Sequence, residues 1–149
     1  MKPKHHQAIF LIVTSLIAVA ALPPVLANAA GALAVGISPA GAQYGFAAGS
    51  AWNNPNAGEA SSNAIAKCKK SPGSNARAQA LCKVVINYEN QCVAIALDPK
   101  DGTPGAGWGV GATQQQANDA ALIQCRATAG ANRQAFCEVT AKRCDGTAK

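Results

Sequence analysis

A chain of 149 residues with 13 Lys and Arg against 7 Asp and Glu carries a formal net charge of +6, and 49% of it is apolar. That length makes one domain of ordinary size with a modest core. The cations are scattered, the densest run being Lys67, Lys69 and Lys70, whereas a nucleic-acid footprint needs a basic stripe interleaved with stacking aromatics, so nucleic acid is not the expected partner.

The first segment carries its own signal. Lys2, Lys4, His5 and His6 form a basic start, Ala8 to Leu22 is an apolar run, Pro23 and Pro24 break it, and Ala27, Asn28 and Ala29 offer small residues for cleavage before Ala30. These features predict a removable export signal over 1–29. A membrane anchor needs about 20 apolar residues; this run is shorter, ends in prolines and has no basic cluster after it, so no stable anchor is expected after cleavage. The first cysteine is Cys68, so no acylation site follows the apolar run. Cleavage removes His5, His6 and the lone methionine, Met1, and leaves 11 basic residues (13 less Lys2 and Lys4) against 7 acidic ones, a net charge of +4. Without an imidazole, Ser-His and Cys-His nucleophilic sites and His-containing zinc sites drop out. A mild attraction to anionic envelope surfaces remains.

Along the rest of the chain one order of elements occurs twice. A short apolar strand, Ala32 to Gly36, is followed by a turn at Ser38, Pro39, Ala40 and Gly41, and then by an aromatic-glycine strand, Tyr44, Gly45, Phe46 and Ala47. Asn56 with Glu59 marks a helix start. That helix carries Ala60, Ala64 and Cys68, and Cys82 opens a strand over about 80–88. The second pass reads Val93 to Leu97, a turn at Asp98, Pro99, Lys100, Asp101 and Gly102, a strand with Trp108, Gly109, Val110 and Gly111, and a helix start at Thr113 with Gln116. Its helix carries Ala117, Ala121 and Cys125, and Cys137 opens a strand over about 135–143. The prediction is an α+β fold of two pseudo-symmetric β-β-α-β repeats, about 32–91 and 92–149, forming one duplicated domain over 30–149. One such unit is too small to bury its apolar face alone, so the halves are expected to share an antiparallel-rich sheet with two helices packed on it.

In the second strands the glycines fall two apart. Gly105, Gly107, Gly109 and Gly111 oppose Ala106, Trp108 and Val110; Gly45, Ala47 and Gly49 oppose Tyr44, Phe46 and Ala48. Glycine in a strand marks a close approach of another backbone, and the natural visitor is the alanine face of the following helix. Such a core is weak and would lean on disulfides, each worth roughly 2–4 kcal/mol. Six cysteines in an exported chain suit a disulfide framework. Their spacings of 14 and 10, then 12 and 7 residues, lack the close pairs that metal sites prefer. Six cysteines leave many pairings open. Period two puts Cys82 on a face with Val84 and Ile86, and Cys137 with Val139 and Ala141, while Cys68 and Cys125 share the inward alanine faces of their helices. This favours Cys68–Cys82 and Cys125–Cys137 as helix-to-strand staples, with Cys92–Cys144 joining the halves.

Candidate chemistry is thin. Gly105 to Gly111 resembles a dinucleotide loop, but Val110 stands where the third glycine belongs and the strand-turn-helix context is missing. Asp98 to Gly102 resembles a calcium loop, but Lys100 and Thr103 do not fit, and a turn accounts for it. The carboxylates Glu59, Glu89, Asp98, Asp101, Asp119, Glu138 and Asp145 single out no pair for glycoside hydrolysis. No catalytic, cofactor or metal residue is assigned. The aromatics occupy mostly core-like places. Trp52, after a strand in a polar loop, is the candidate contact residue, against the plainer reading of a lid over the sheet edge. The corresponding long connections, 50–56 and 98–106, are the first places to look for a site.

Laid out this way, the chain resembles a bacterial family catalogued as domain of unknown function 4189. The likeness rests on Tyr44, Gly45, Phe46 and Ala47; on Ala60, Ala64 and Cys68; on Cys82 through Ala96; on Trp108 to Gly111; and on Ala117, Ala121, Leu122 and Cys125. The resemblance implies an exported, disulfide-containing bacterial domain and brings no catalytic residues with it. The expected function is a non-enzymatic interaction module, periplasmic or extracellular, contacting another protein or a cell-envelope component. The alternatives are a small envelope hydrolase or hydrolase inhibitor, and a structural envelope protein.

Overall fold

In each half one strand alternates small and large side chains, and that alternation sets the layers. The computed structural model describes residues 29–149. In it β1 (Ala30–Ser38) is followed by β2 (Gly41–Asn54), α1 (Ala57–Cys68), the short α2 (Ala76–Ala80) and β3 (Lys83–Glu89). The second half repeats the order with β4 (Cys92–Leu97), β5 (Ala106–Gly111), α3 (Gln114–Thr128), a 3-10 turn at Gln134–Phe136 and β6 (Glu138–Cys144). Each half forms a three-stranded antiparallel sheet with its first strand in the middle, β2-β1-β3 and β5-β4-β6. The α+β class and the repeated β-β-α-β pattern are those the sequence predicts. The export signal expected over 1–29 lies, but for Ala29, outside the described residues.

The halves keep separate sheets instead of sharing one, and the central strands explain why. Ala30, Ala32 and Ala34 of β1 pack under Ala60, Ala64 and Cys68 of α1. Ala94 and Ala96 of β4 pack under Ala117, Ala121 and Cys125 of α3. The intervening residues Leu33, Val35, Val93 and Ile95 join Tyr88 in a third core. Successive side chains of a strand point to opposite faces, so each central strand has two apolar faces, and stacking the sheets face to face buries both. An edge-to-edge union would leave those four large side chains wet, at roughly 1.5–3 kcal/mol each. The result is four layers: helix, sheet, sheet, helix.

Helix entry follows the side chains read as caps. Asn56 accepts from the Glu59 N–H at 2.9 Å, and Thr113 with Gln116 forms a reciprocal capping box. A third cap, Asn75 accepting from the Ala78 N–H at 2.8 Å, starts α2, a short helix not expected from the sequence, ahead of the strand expected over about 80–88. The closing strands therefore begin at Lys83 and Glu138, one residue after their cysteines.

The disulfides pair Cys68 with Cys82, Cys125 with Cys137 and Cys92 with Cys144. The first two tie α1 and α3 to the starts of β3 and β6. The third does not join the halves: Cys92 and Cys144 face one another across the β4–β6 ladder, with Cα atoms 3.8 Å apart. Both closing strands also carry a register shift, opposite Leu33/Ala34 and Ile95/Ala96. A bulge inserts a residue and reverses the alternation beyond it. Cys82 and Val84 thus pack beside α1, while Ile86 turns to the core between the sheets, away from the face it was expected to share.

The halves are held together at one end by hydrogen bonds. The Asn53 N–H donates to the buried Asp145 carboxylate, and the Asn53 side-chain oxygen accepts from the Gly146 N–H at 2.9 Å. The Asp145 N–H donates to the Gln91 carbonyl at 2.9 Å. These bonds set β2 beside β6, the two strands that frame the groove described next.

Candidate functional site: a cationic groove beside Trp52

Trp52 stands within β2, which runs on to Asn54, and not in a loop beyond it. Its side chain is 36% exposed. Tyr44 and Phe136 are also exposed, so only half of the six aromatics among the described residues lie in or against the core, Tyr88 fully and Phe46 and Trp108 in part. Two cations from different halves approach the Trp52 ring: Lys67 Nζ at 4.3 Å from the centroid and the Arg143 guanidinium at 5.2 Å. Lys67 comes from the last turn of α1, where a cation also suits the helix dipole, and its ammonium donates to the Ser50 carbonyl at 2.9 Å. Arg143 comes from β6, next to the disulfide that fixes the end of that strand.

The ring and its cations lie on a groove of about 790 Å³ between β2 with α1 on one side and β6 on the other. Lys70 and Lys142 line it as well, and no Asp or Glu does. Its floor is small: Ala48, Gly49, Ala66 and Ala141, with the hydroxyls of Ser50, Ser71 and Thr140. Lys67, Lys69 and Lys70 form the one cationic cluster visible in the sequence. Lys142 and Arg143 are brought to them by the stacking of the two sheets, which sets β6 beside β2 and which sequence spacing does not reveal.

A second groove of about 700 Å³ continues the first, sharing Ala48, Ser50, Ser71 and Thr140 and ending at the 98–105 connection. Both segments singled out in the sequence thus border one continuous depression, although they do not correspond: 98–105 joins β4 to β5, and its counterpart is the tight turn at Pro39 and Ala40. Asp98 and Asp101 line this far end. They do not form a free pair, because Asp98 is buried and gripped by Arg133, with Nε 2.7 Å from Oδ2 and Nη2 2.5 Å from Oδ1. The Lys100 N–H adds a third bond at 3.1 Å. The Arg133 hydrogen bond, more than any other influence, holds the Asp98 carboxyl down at about 2, below the usual 3.8. The Arg133 guanidinium in turn covers the Phe136 ring at 4.0 Å. Arg133 was invisible as a partner in the sequence, 35 residues from Asp98.

The pH consequence has a definite sign. A carboxylate with a depressed folded pKa stabilises the fold in full above its unfolded value and loses that contribution as pH falls through the folded one. The thermal midpoint should therefore fall on acidification from about pH 5 to about pH 2, and Asp98→Asn should start lower at neutral pH and fall less. Melting curves across that range check this; parallel profiles for the two proteins would refute it.

The remaining carboxylates are elsewhere. The Glu59 carboxylate accepts from the side-chain amide of Asn56, the cap of α1, and Asp119 accepts from Gln115 one turn away on α3. Asp145 is buried at the tie between the halves, with Oδ2 unpartnered, and burial with a nearby Asp145 charge pushes the Tyr88 phenol up. Among the described residues no group of three or more His, Cys, Asp or Glu side chains is placed to hold a metal ion, and no helix is long and apolar enough to cross a membrane. No curated protein and no solved structure matches the chain. Residues 25–144 match the model of a family described as Domain of unknown function (DUF4189), and the chain belongs to that family.

Proposed function

We propose that this chain is an exported, disulfide-stabilised interaction module that binds an anionic partner in the Trp52 groove and carries out no chemistry. The observation behind this reading is the lining of the groove. Four cations and a half-open indole converge there from α1, β2 and β6, with no carboxylate among them. Unpaired like charges repel one another and stay hydrated until an opposite charge arrives, whereas a hydrolytic pair needs two free carboxylates facing a shared space. At the far end one of the two is already committed to Arg133. The three disulfides with no free cysteine suit an oxidising compartment, periplasmic or extracellular.

Sedimentation with isolated cell envelope tests the reading. The oxidised protein should co-sediment at low ionic strength and be released by salt, as contacts between exposed charges are screened. Lys67→Glu with Arg143→Glu should abolish co-sedimentation, while Lys83→Glu with Arg126→Glu, equal in net charge and outside the groove, should retain it. Equal loss in both variants would reduce the effect to net charge and overturn the groove.

A further inference from the structure

We infer that the occupant of the groove is a linear glycan carrying carboxylates. This rests on the groove being the binding surface, as proposed above, and adds the chemistry of what fits it. The cationic stretch follows β2 from Ala48 to Trp52, and the depression continues to Gln43 beside the 98–105 connection, where Asp98 and Asp101 line it, about 30 Å in all at the usual rise of a strand. It suits an extended chain better than a compact ion.

Three properties of its surface select among extended anionic chains. The floor is shallow and small, Ala48, Gly49 and Ala141, with no deep apolar pocket to seat the anchor side chain of a peptide. Three outward backbone groups of β2 are already engaged: the Ala48 N–H donates to Ser71 Oγ at 3.4 Å, and the carbonyls of Ser50 and Trp52 accept from Lys67 and Asn54 at 2.9 and 3.0 Å. A peptide adding itself as a further strand needs those groups free. A single-stranded nucleic acid needs successive stacking rings, one per base, and among the described residues Trp52 is the one aromatic on the cationic stretch.

A pyranose has what the surface asks for. One face of the sugar presents C–H groups, which are weakly positive and sit well against an apolar floor and the negative face of an indole. Its rim presents hydroxyls, matched by Ser50, Ser71 and Thr140 on the same walls. A carboxylate on the sugar places its charge at the height of Lys67 and Arg143, which lie within 5.2 Å of the same ring centroid on opposite walls of the groove. Each is then a charge-assisted contact, and loss of one weakens binding by about tenfold or more.

Calorimetry with defined oligomers tests this on the full chain, produced for export and purified oxidised. The probes are oligogalacturonate, an uncharged glucan of equal length, oligoglutamate and inorganic polyphosphate. Oligogalacturonate should bind and the neutral glucan should not. Lys67→Gln with Arg143→Gln should weaken oligogalacturonate at least a hundredfold, Trp52→Ala about tenfold, and Lys83→Gln with Arg126→Gln less than twofold, all with unchanged circular dichroism. Equal or tighter binding of oligoglutamate or polyphosphate, sensitive to Lys67 and Arg143, would overturn the glycan and leave the anion groove standing. No groove-dependent binding of any polyanion would overturn both.

Discussion

Reducing all three disulfides is expected to abolish the cooperative unfolding transition at room temperature. The helix-to-sheet layers are built from Ala30, Ala32, Ala34, Ala60 and Ala64 on one side and Ala94, Ala96, Ala117 and Ala121 on the other. Each contributes little more than a methyl group to burial, at about 0.8 kcal/mol per buried carbon of that size. The cross-links close loops of 14, 12 and 52 residues, and loop entropy in the unfolded chain assigns them about 3, 3 and 4 kcal/mol. A domain of this size has only about 5–15 kcal/mol of net stability. Loss of all three therefore removes most of it, even allowing for Cys125–Cys137 being nested inside the larger loop. Guanidinium titrations with and without reductant check this, as does Cys92→Ala with Cys144→Ala, expected to be the costliest single-bridge deletion. Equal midpoints for oxidised and reduced protein would show that the alanine layers suffice alone.

Much of this scaffold is legible in the residues, because it is written in local patterns. Asn56 and Thr113 announce their helices through side chains three positions away, and the doubled run of alanine and cysteine announces the duplication. The division into two sheets is carried by β1 and β4, where alanines alternate with Leu33, Val35, Val93 and Ile95. Read only as short apolar strands, those segments suggest one shared sheet; read for side-chain size, they require two layers. The bulges at β3 and β6 carry no marker residue, since Val85 and Thr140 are ordinary strand formers, and so the face of Ile86 is misjudged. The α2 helix is a single turn and a half capped by Asn75, too short for periodicity to reveal. The groove is less legible still. Trp52 and Lys67 are visible as an unusual aromatic and a cation, but Arg143 reaches them only through tertiary pairing, 91 residues along the chain from Trp52. The same holds for Arg133 at Asp98. Charge partners distant in sequence leave no periodic trace, whereas caps and helix faces do.

Gly49→Ala and Gly107→Ala are expected to cost about 3 kcal/mol or more each, at the upper end for overpacking a core. A methyl group on Gly49 would overlap the Ala64 carbonyl and the Cys68 N–H of α1, and one on Gly107 the Ala121 carbonyl and the Cys125 N–H of α3. The obstacle in each case is helix backbone, which cannot rotate away as a side chain can, and each helix is further pinned at that turn by its disulfide. The thermal midpoint should drop by about 10 °C or more. Gly73→Ala is the contrasting case. Gly73 has φ +74° and nothing within 4 Å of the added carbon, so the cost is backbone strain alone, about 1 kcal/mol. Denaturant titration of the three variants separates contact from strain. If Gly107→Ala costs no more than Gly73→Ala, the helices can lift off the sheets without penalty, and small residues in these layers reflect something other than close approach. If Gly49 and Gly107 cost alike, both helices depend equally on a glycine beneath them, and the duplication extends to the energetics of packing as well as to the order of the elements.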